Sequence, residues 1–225
     1  LWETFLDVNK LAEDYDYVDI GWIQPSPNNQ YLAFGIDTKG NYRYFIKILN
    51  LITGELLSEN ISNTWGKCIW HPDNKRLFYS EKDNTNRNLY IKQHWLGFNS
   101  QQDEDLIFEE KDPMFSVYIS QSKSKRYMFI GSESTNTTEF SFIDLYDKKQ
   151  TIHIISPREK HHLYYPLQHR DSFYILTNDN HHIENKIIKV PIENTKKDNW
   201  KTIFTPKSKY TFENFTIVNN HLIIL

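Results

Sequence analysis

The sequence predicts an all-β fold, a β-propeller of four-stranded antiparallel blades with about four to five blades present in residues 1–225. Three observations predict it. A polar turn opening onto an apolar run recurs along the chain; the apolar positions within the runs alternate with period two; and helical periodicity is almost absent. The recurring unit is plainest in "WHPDNKRLFYSEKDNTNRNLYIKQ", where a Pro-Asp-Asn turn leads into a strand apolar on both faces.

In chain order, the first element is the helical exception. "ETFLDVNKLAEDY" places Phe5, Val8, Leu11 and Ala12 on one face, with Asp7 early in the segment, and predicts an amphipathic helix of about two to three turns near residues 3–14. It is expected to pack on the edge of the first blade. Five strands then follow polar turns: Tyr31-Leu32-Ala33-Phe34, Arg76-Leu77-Phe78-Tyr79, Tyr127-Met128-Phe129-Ile130, Phe173-Tyr174-Ile175-Leu176 and Leu222-Ile223-Ile224-Leu225. From Leu32 through Leu77, Met128 and Tyr174 to Leu222 the steps are 45, 51, 46 and 48 residues, the period of propeller blades. A second strand follows each of the first four, over Arg43–Leu49, from Leu89, over Glu139–Leu145 and over Lys186–Val190. Both faces of these strands are largely apolar, as in inner strands wedged between neighbouring blades. The loops between the pairs, such as "DTKGN" and "SESTNTT", are polar and rich in turn formers, so the pairs read as hairpins. Third strands are expected near Leu56, Leu106-Ile107-Phe108, Ile152–Ile155 and Trp200–Ile203. Lys67–Trp70, Phe115–Tyr118 and Phe212–Ile217 are expected to close one unit and begin the next. The run stops inside a fifth unit and the chain opens on Leu1, so it reads as an open arc cut from a larger ring.

Composition narrows the function classes. With 39% hydrophobic and 15% aromatic residues the chain is an ordered one, and a formal net charge of -3 with interspersed charges argues against a nucleic-acid partner. No run approaches the roughly 18 apolar residues of a membrane span, and no signal-peptide pattern opens the chain, so no membrane partner is expected. Cys68 is the single cysteine, which rules out an intrachain disulfide and fits a cytoplasmic location.

Candidate sites are few. His161-His162 and His181-His182, with Glu159, Asp179 and Glu184 nearby, are the obvious metal ligands, but adjacent residues in extended chain point to opposite sides. They read as solvated loop histidines, and neither a metal nor any other cofactor is expected. Asp14, Asp16 and Asp19 lack the glycine and closing glutamate of a calcium loop. Cys68 in "GKCIWHP" reads as a buried, inert thiol. Trp22, Trp65, Trp70, Trp95 and Trp200 read as wedges between blades, with Trp95 the one expected to be exposed. Asp103, Glu104, Asp105, Glu109, Glu110 and Asp112 form an acidic group. It reads either as a solvated blade edge or as candidate entrance residues whose field attracts Lys- and Arg-containing peptides.

The blocks "LWETFLDVNKLAED", "DLIFEEKDPMFSVYISQSKSKRYMFIGSESTNTTEFSFID", "HHLYYPLQHRDSFYILTNDN" and "ENKIIKV" resemble, in collinear order over essentially all 225 residues, the propeller domain of the oligopeptidase B branch of the prolyl oligopeptidase family of serine peptidases. The resemblance implies a seven-bladed propeller capping an α/β-hydrolase domain of the same parent protein. It also implies oligopeptide substrates, admitted while folded proteins are excluded, and cleavage after Lys or Arg. No catalytic residue carries over: the chain has no G-x-S-x-G elbow, and Gly131-Ser132-Glu133-Ser134 lacks the trailing glycine. The hydrolase domain is expected outside this chain, which alone is expected to be inactive. A non-enzymatic propeller acting as an interaction module, or the remnant of a split peptidase gene, remain alternative readings.

Overall fold

The computed structural model of the chain describes residues 4–97, 104–179, 182–207 and 212–225. The chain forms two compact units, Leu1–Ile119 and Ser120–Leu225.

The first unit opens on a single helical turn, α1 (Val8–Ala12), capped by Asp7, whose Oδ1 accepts from the backbone N–H groups of Asn9 and Lys10 at 3.1 and 3.4 Å. The helix is shorter than the sequence predicts. Of its expected apolar face, Phe5 and Val8 are exposed, while Leu11 packs with Leu6, Val18 and Ile20 against Leu32, Phe34 and Ile36. Five residues hold too few internal hydrogen bonds to stand alone, so this packing is what keeps the turn in place.

Seven antiparallel strands follow in one sheet, in chain order: β1 (Asp19–Pro25), β2 (Tyr31–Asp37), β3 (Tyr44–Asn50), β4 (Ile61–Trp70), β5 (Arg76–Lys82), β6 (Asn88–Trp95) and β7 (Glu104–Glu109). The seven are two four-stranded units sharing one strand. Ile61 of β4 pairs with Ile46 of β3, Thr64 pairs with both Tyr44 of β3 and Glu81 of β5, and Cys68, Ile69 and Trp70 pair with Tyr79, Phe78 and Leu77 of β5 alone. The outer strand expected near Leu56 is reduced to one bridge, Leu49 to Leu56, and the first half of β4 takes its place. Between Ile61 and Cys68, Asn63 and Gly66 have φ of 57° and 82°, which turns the strand from one four-stranded group to the next. Ala33, Ile46, Ile48, Ile61, Cys68, Trp70, Leu77 and Tyr79 form the core that the two four-stranded groups of this sheet share. Trp70 is anchored in it by its indole N–H, which donates to the Gln24 carbonyl at 3.0 Å.

Strand β8 (Ser116–Gln121) leads into the second unit, in which it continues as β9 (Tyr127–Glu133), β10 (Thr138–Asp144) and β11 (His153–Ser156), a four-stranded sheet in chain order. A second four-stranded sheet follows: β12 (Tyr164–His169), β13 (Ser172–Asp179), β14 (His182–Pro191) and β15 (Lys201–Phe204). No strand is expected from sequence at β12, within which Pro166 sits. As an edge strand β12 tolerates the missing N–H. Last comes the hairpin β16 (Phe215–Val218) and β17 (His221–Ile224). Phe173 of β13 meets Phe129 and Phe142 in edge-to-face contacts at 5.5 and 4.9 Å, joining the two four-stranded sheets.

Leu32, Leu77, Met128, Tyr174 and Leu222 fall in β2, β5, β9, β13 and β17, the second strand of each group. In the first four groups this strand is buried on both faces. The turn before each places one residue in the left-handed region: Asn29, Asn74, Lys125, Arg170 and Asn219, with φ from 54° to 61°. The first three turns are closed alike, the N–H groups of Ser26, His71 and Ser122 donating to the carbonyls of Tyr31, Arg76 and Tyr127 at 2.8 to 2.9 Å. The backbone therefore repeats where the side chains do not.

Candidate functional site

The acidic group does not converge. Asp103 lies outside the described residues, as does the side chain of Glu104. Asp105 and Glu109 are both exposed on β7, the edge strand of its sheet, but a bulge between Leu106 and Phe108 breaks the alternation, so that Asp105 lies opposite Gln93 and Glu109 opposite Tyr90, on different faces. Asp105 accepts from the Gln93 amide and, at 3.5 Å, from the Trp95 indole. Glu110 is buried and its Oε1 accepts the Asp112 N–H at 2.9 Å, while Asp112 accepts the Met114 N–H at 2.9 Å and, through its carbonyl, Arg87 at 3.3 Å. Two of the six therefore shape the turn into the next strand.

The histidines divide. His161 is exposed, with φ of 66°, and its Nδ1 meets the Asn136 amide at 2.9 Å. His162 is not a solvated loop residue: only 3% exposed, it bonds Thr177 Oγ1 through Nε2 at 2.8 Å and packs on Tyr164 and Trp200. The alternation expected of adjacent residues holds, but one of the two directions is the core. The side chains of Asp179, His181, His182 and Glu184 lie outside the described residues. Among the described residues no three His, Cys, Asp or Glu side chains gather as a metal site. Cys68 is buried in the core of the first sheet, and burial pushes its thiol up to about 12 despite neighbouring Lys67. Ser132 is buried within β9, which turns by a hairpin into β10 rather than into a helix, so no nucleophile elbow forms there.

The aromatic surface was misjudged from sequence. Trp70 is the expected wedge, but Trp95 is half-buried beneath the Arg76 guanidinium, 4.6 Å from its ring. Among the described residues the exposed indoles are Trp22 at 53% and Trp65 at 44%. They wall a cleft of about 470 Å³ together with Tyr42, Tyr44, Gly21 and Ile23. Lys67 lies over Trp22 at 4.5 Å and Lys82 over Trp65 at 4.4 Å. Tyr44 donates to Asp19 Oδ2 at 2.5 Å, and burial followed by this bond holds its phenol well above the usual tyrosine range. The cleft forms where β1 bulges at Ile20–Ile23 and β4 bends, two irregularities without a sequence signature beyond Gly21 and Gly66. No helix among the described residues is long and apolar enough to cross a membrane.

Antiparallel four-strand groups, each with its second strand buried on both faces, define a β-propeller. Residues 1–225 match the prolyl oligopeptidase N-terminal β-propeller domain, and the chain belongs to that family. It is 30% identical over 223 residues to dipeptidyl aminopeptidase BI of Pseudoxanthomonas mexicana, covering 99% of this chain and 31% of that protein. With protease 2 of Moraxella lacunata it shares 35% identity over 179 residues, 79% of this chain and 26% of that one. Among solved structures, oligopeptidase B of Leishmania major superposes with a TM-score of 0.92 at 28% identity, covering 98% of this chain and 31% of the other. Oligopeptidase B of Trypanosoma brucei, in a closed form with covalently bound antipain, gives 0.88 at 25%, covering 99% and 31%. The chain thus spans about a third or less of the length of these relatives.

Proposed function

We propose that the chain is the substrate-gating propeller of a cytoplasmic serine-type endopeptidase that acts on oligopeptides and cuts after Lys or Arg. The likeness to oligopeptidase B over 98% of the chain carries the reading. The partner is an α/β-hydrolase domain elsewhere in the parent protein, which supplies a serine nucleophile, its base and an oxyanion hole for acyl transfer. The propeller's part is selection by size: an extended peptide passes a narrow opening or a hinged cleft, a folded protein does not, and closure excludes bulk water. Asp103, Glu104, Asp105 and Glu109 raise the local concentration of cationic peptides, an effect that weakens with salt. Glu110 and Asp112 sit in the same segment and brace it.

The complete polypeptide is tested on an internally quenched peptide with one central Arg and on the same sequence inside a folded domain. Cleavage after Arg in the first and none in the second is expected. Equal cleavage of both would remove the gating role, and cleavage indifferent to replacing Arg by Ala would remove the specificity. Asp105→Asn with Glu109→Gln raises KM for the Arg peptide at low salt and leaves kcat unchanged. The identity to dipeptidyl aminopeptidase BI favours one second reading, release of N-terminal dipeptides. Blocking the substrate's amino terminus separates the two, since it stops dipeptide release and leaves internal cleavage intact.

A further inference from the structure

In the second unit, the turns that precede β9 and β13 gather positive charge around one cavity. It measures about 320 Å³ and is lined by Lys123, Ser124 and Arg126 from the first turn and by Gln168, His169 and Arg170 from the second, with Ile217 of β16 completing the wall. Among the described residues no acidic side chain lines it. In a chain whose formal net charge is -3, a lining with three cations and a histidine departs from the composition.

The cations are held in place by neutral partners. Lys123 Nζ donates to Thr216 Oγ1 at 2.7 Å and to the Ile217 carbonyl at 2.9 Å, leaving the third N–H of the ammonium. Arg170 Nη2 donates to Asn220 Oδ1 at 2.7 Å, which leaves most of its five donors. Neither makes an ion pair with a carboxylate among the described residues. Arg126 differs: Nε and Nη2 both bond Asp144 Oδ2, at 3.0 and 2.7 Å, and its Nη1 is not part of that pair. The two turns are tied to one another, because the Ser124 hydroxyl donates to Gln168 Oε1 at 2.8 Å and the Gln168 amide donates to the Arg170 carbonyl. The spacing of the cations is therefore set before any ligand arrives. Like charges fixed near one another repel, and an anion placed among them relieves that repulsion while accepting charge-assisted hydrogen bonds.

We propose that this cavity is an oxyanion site that takes the phosphate or carboxylate group of a small anionic ligand. Lys123 and Arg170 supply the charge, and Ser124, His169 and Arg126 border the position that the oxyanion occupies. The site is independent of the peptidase reading, and its test does not use peptide hydrolysis.

Inorganic phosphate is titrated into the complete polypeptide by calorimetry at low ionic strength and pH 7. Saturable binding in the millimolar range or tighter is expected, weakening as sodium chloride is added. The double variant Lys123→Gln, Arg170→Gln should lose at least about tenfold in affinity, as expected when charged donors to an anion are removed. Lys39→Gln, in the first unit, should bind as the parent does. A second variant guards against a folding defect: His169→Glu keeps both cations, their anchors and the Ser124–Gln168 bond but adds a carboxylate to the wall, and should abolish phosphate binding while the circular dichroism spectrum is unchanged. Absence of saturable heat in the parent overturns the proposal, and so does undiminished binding in either variant. Competition by glutarate identifies the source: displacement of phosphate assigns the site to carboxylates as well, and failure to displace it assigns the site to phosphate.

Discussion

Gly35 and Gly66 meet where β4 bends, and both positions exclude a side chain. A Cβ on Gly35 would lie 2.6 Å from the Gly66 Cα and carbonyl oxygen, and one on Gly66 would lie 2.8 Å from Tyr44 Cγ with φ at 82°. Backbone cannot yield as a flexible side chain does, so Gly35→Ala should cost about 2–3 kcal/mol, read as a lower urea midpoint with unchanged m-value. A midpoint within error of the parent would show that the two strands are less tightly opposed. Cys68 gives a second residue-scale prediction. Burial disfavours the thiolate, pushing the thiol to about 12, so it should resist a thiol reagent at pH 8 in the folded protein and react at once in denaturant. Fast labelling of the native protein would mean that the shared core opens. That Cys68 is buried was legible from its apolar neighbours in "GKCIWHP", whereas the clash at Gly35 was not, because Gly66 approaches it only in three dimensions.

At the scale of elements, the joint between the two four-stranded sheets of the second unit rests on Tyr164. Its hydroxyl accepts the Phe140 N–H at 2.7 Å and donates to the Ser156 carbonyl at 2.5 Å, and its own backbone is bonded on both sides by Thr138 Oγ1. Burial, only partly offset by those bonds, holds the phenol well above the ordinary tyrosine range, so it stays protonated and able to donate. Tyr164→Phe keeps the packing and removes both bonds, for an expected loss of about 1–3 kcal/mol in thermal or urea unfolding. An unchanged stability would place the joint in the aromatic contacts of Phe173 instead. The recurrent strands were readable because alternation with period two survives in one dimension. Of the shared strand β4, Lys67–Trp70 was readable as the join between one group and the next, but the earlier part that pairs with β3 was not, since the left-handed torsions at Asn63 and Gly66 interrupt the alternation there.

Over the whole molecule, acid stability should follow the aspartates that brace turns and strand ends. Desolvation would raise the pKa of Asp73, but the Lys75 N–H and the charges of His71 and Arg76 outweigh it and hold the carboxyl below its ordinary value. Asp144 behaves likewise, desolvation being outweighed by the bond from Arg126 and the Tyr146 N–H, and Asp83 is lowered chiefly by the Thr85 hydroxyl. A depressed folded value stabilises the native state above the unfolded value of 3.8, and that contribution disappears as pH falls through the lower folded values. The melting temperature should therefore hold level down to about pH 5 and decline below it. Asp73→Asn with Asp144→Asn should flatten the decline; an acid limb of undiminished slope would assign the effect to other groups.

From the sequence alone, the all-β class, the spacing of the repeat and the lack of a nucleophile elbow in this chain could be determined, since each depends on residue order and local periodicity. Tertiary structure decided what depends on which residues meet. It buried His162 while leaving His161 in water, exposed Trp22 and Trp65 rather than Trp95, and reduced the helix to one turn. It also brought Lys123 and Arg170, from the turns before β9 and β13 of the second unit, to the wall of one cavity. The physical reason is common to all of these: strand alternation fixes two faces, but which face meets core, neighbour or solvent is set by bends, bulges and edges that act between segments far apart in the chain.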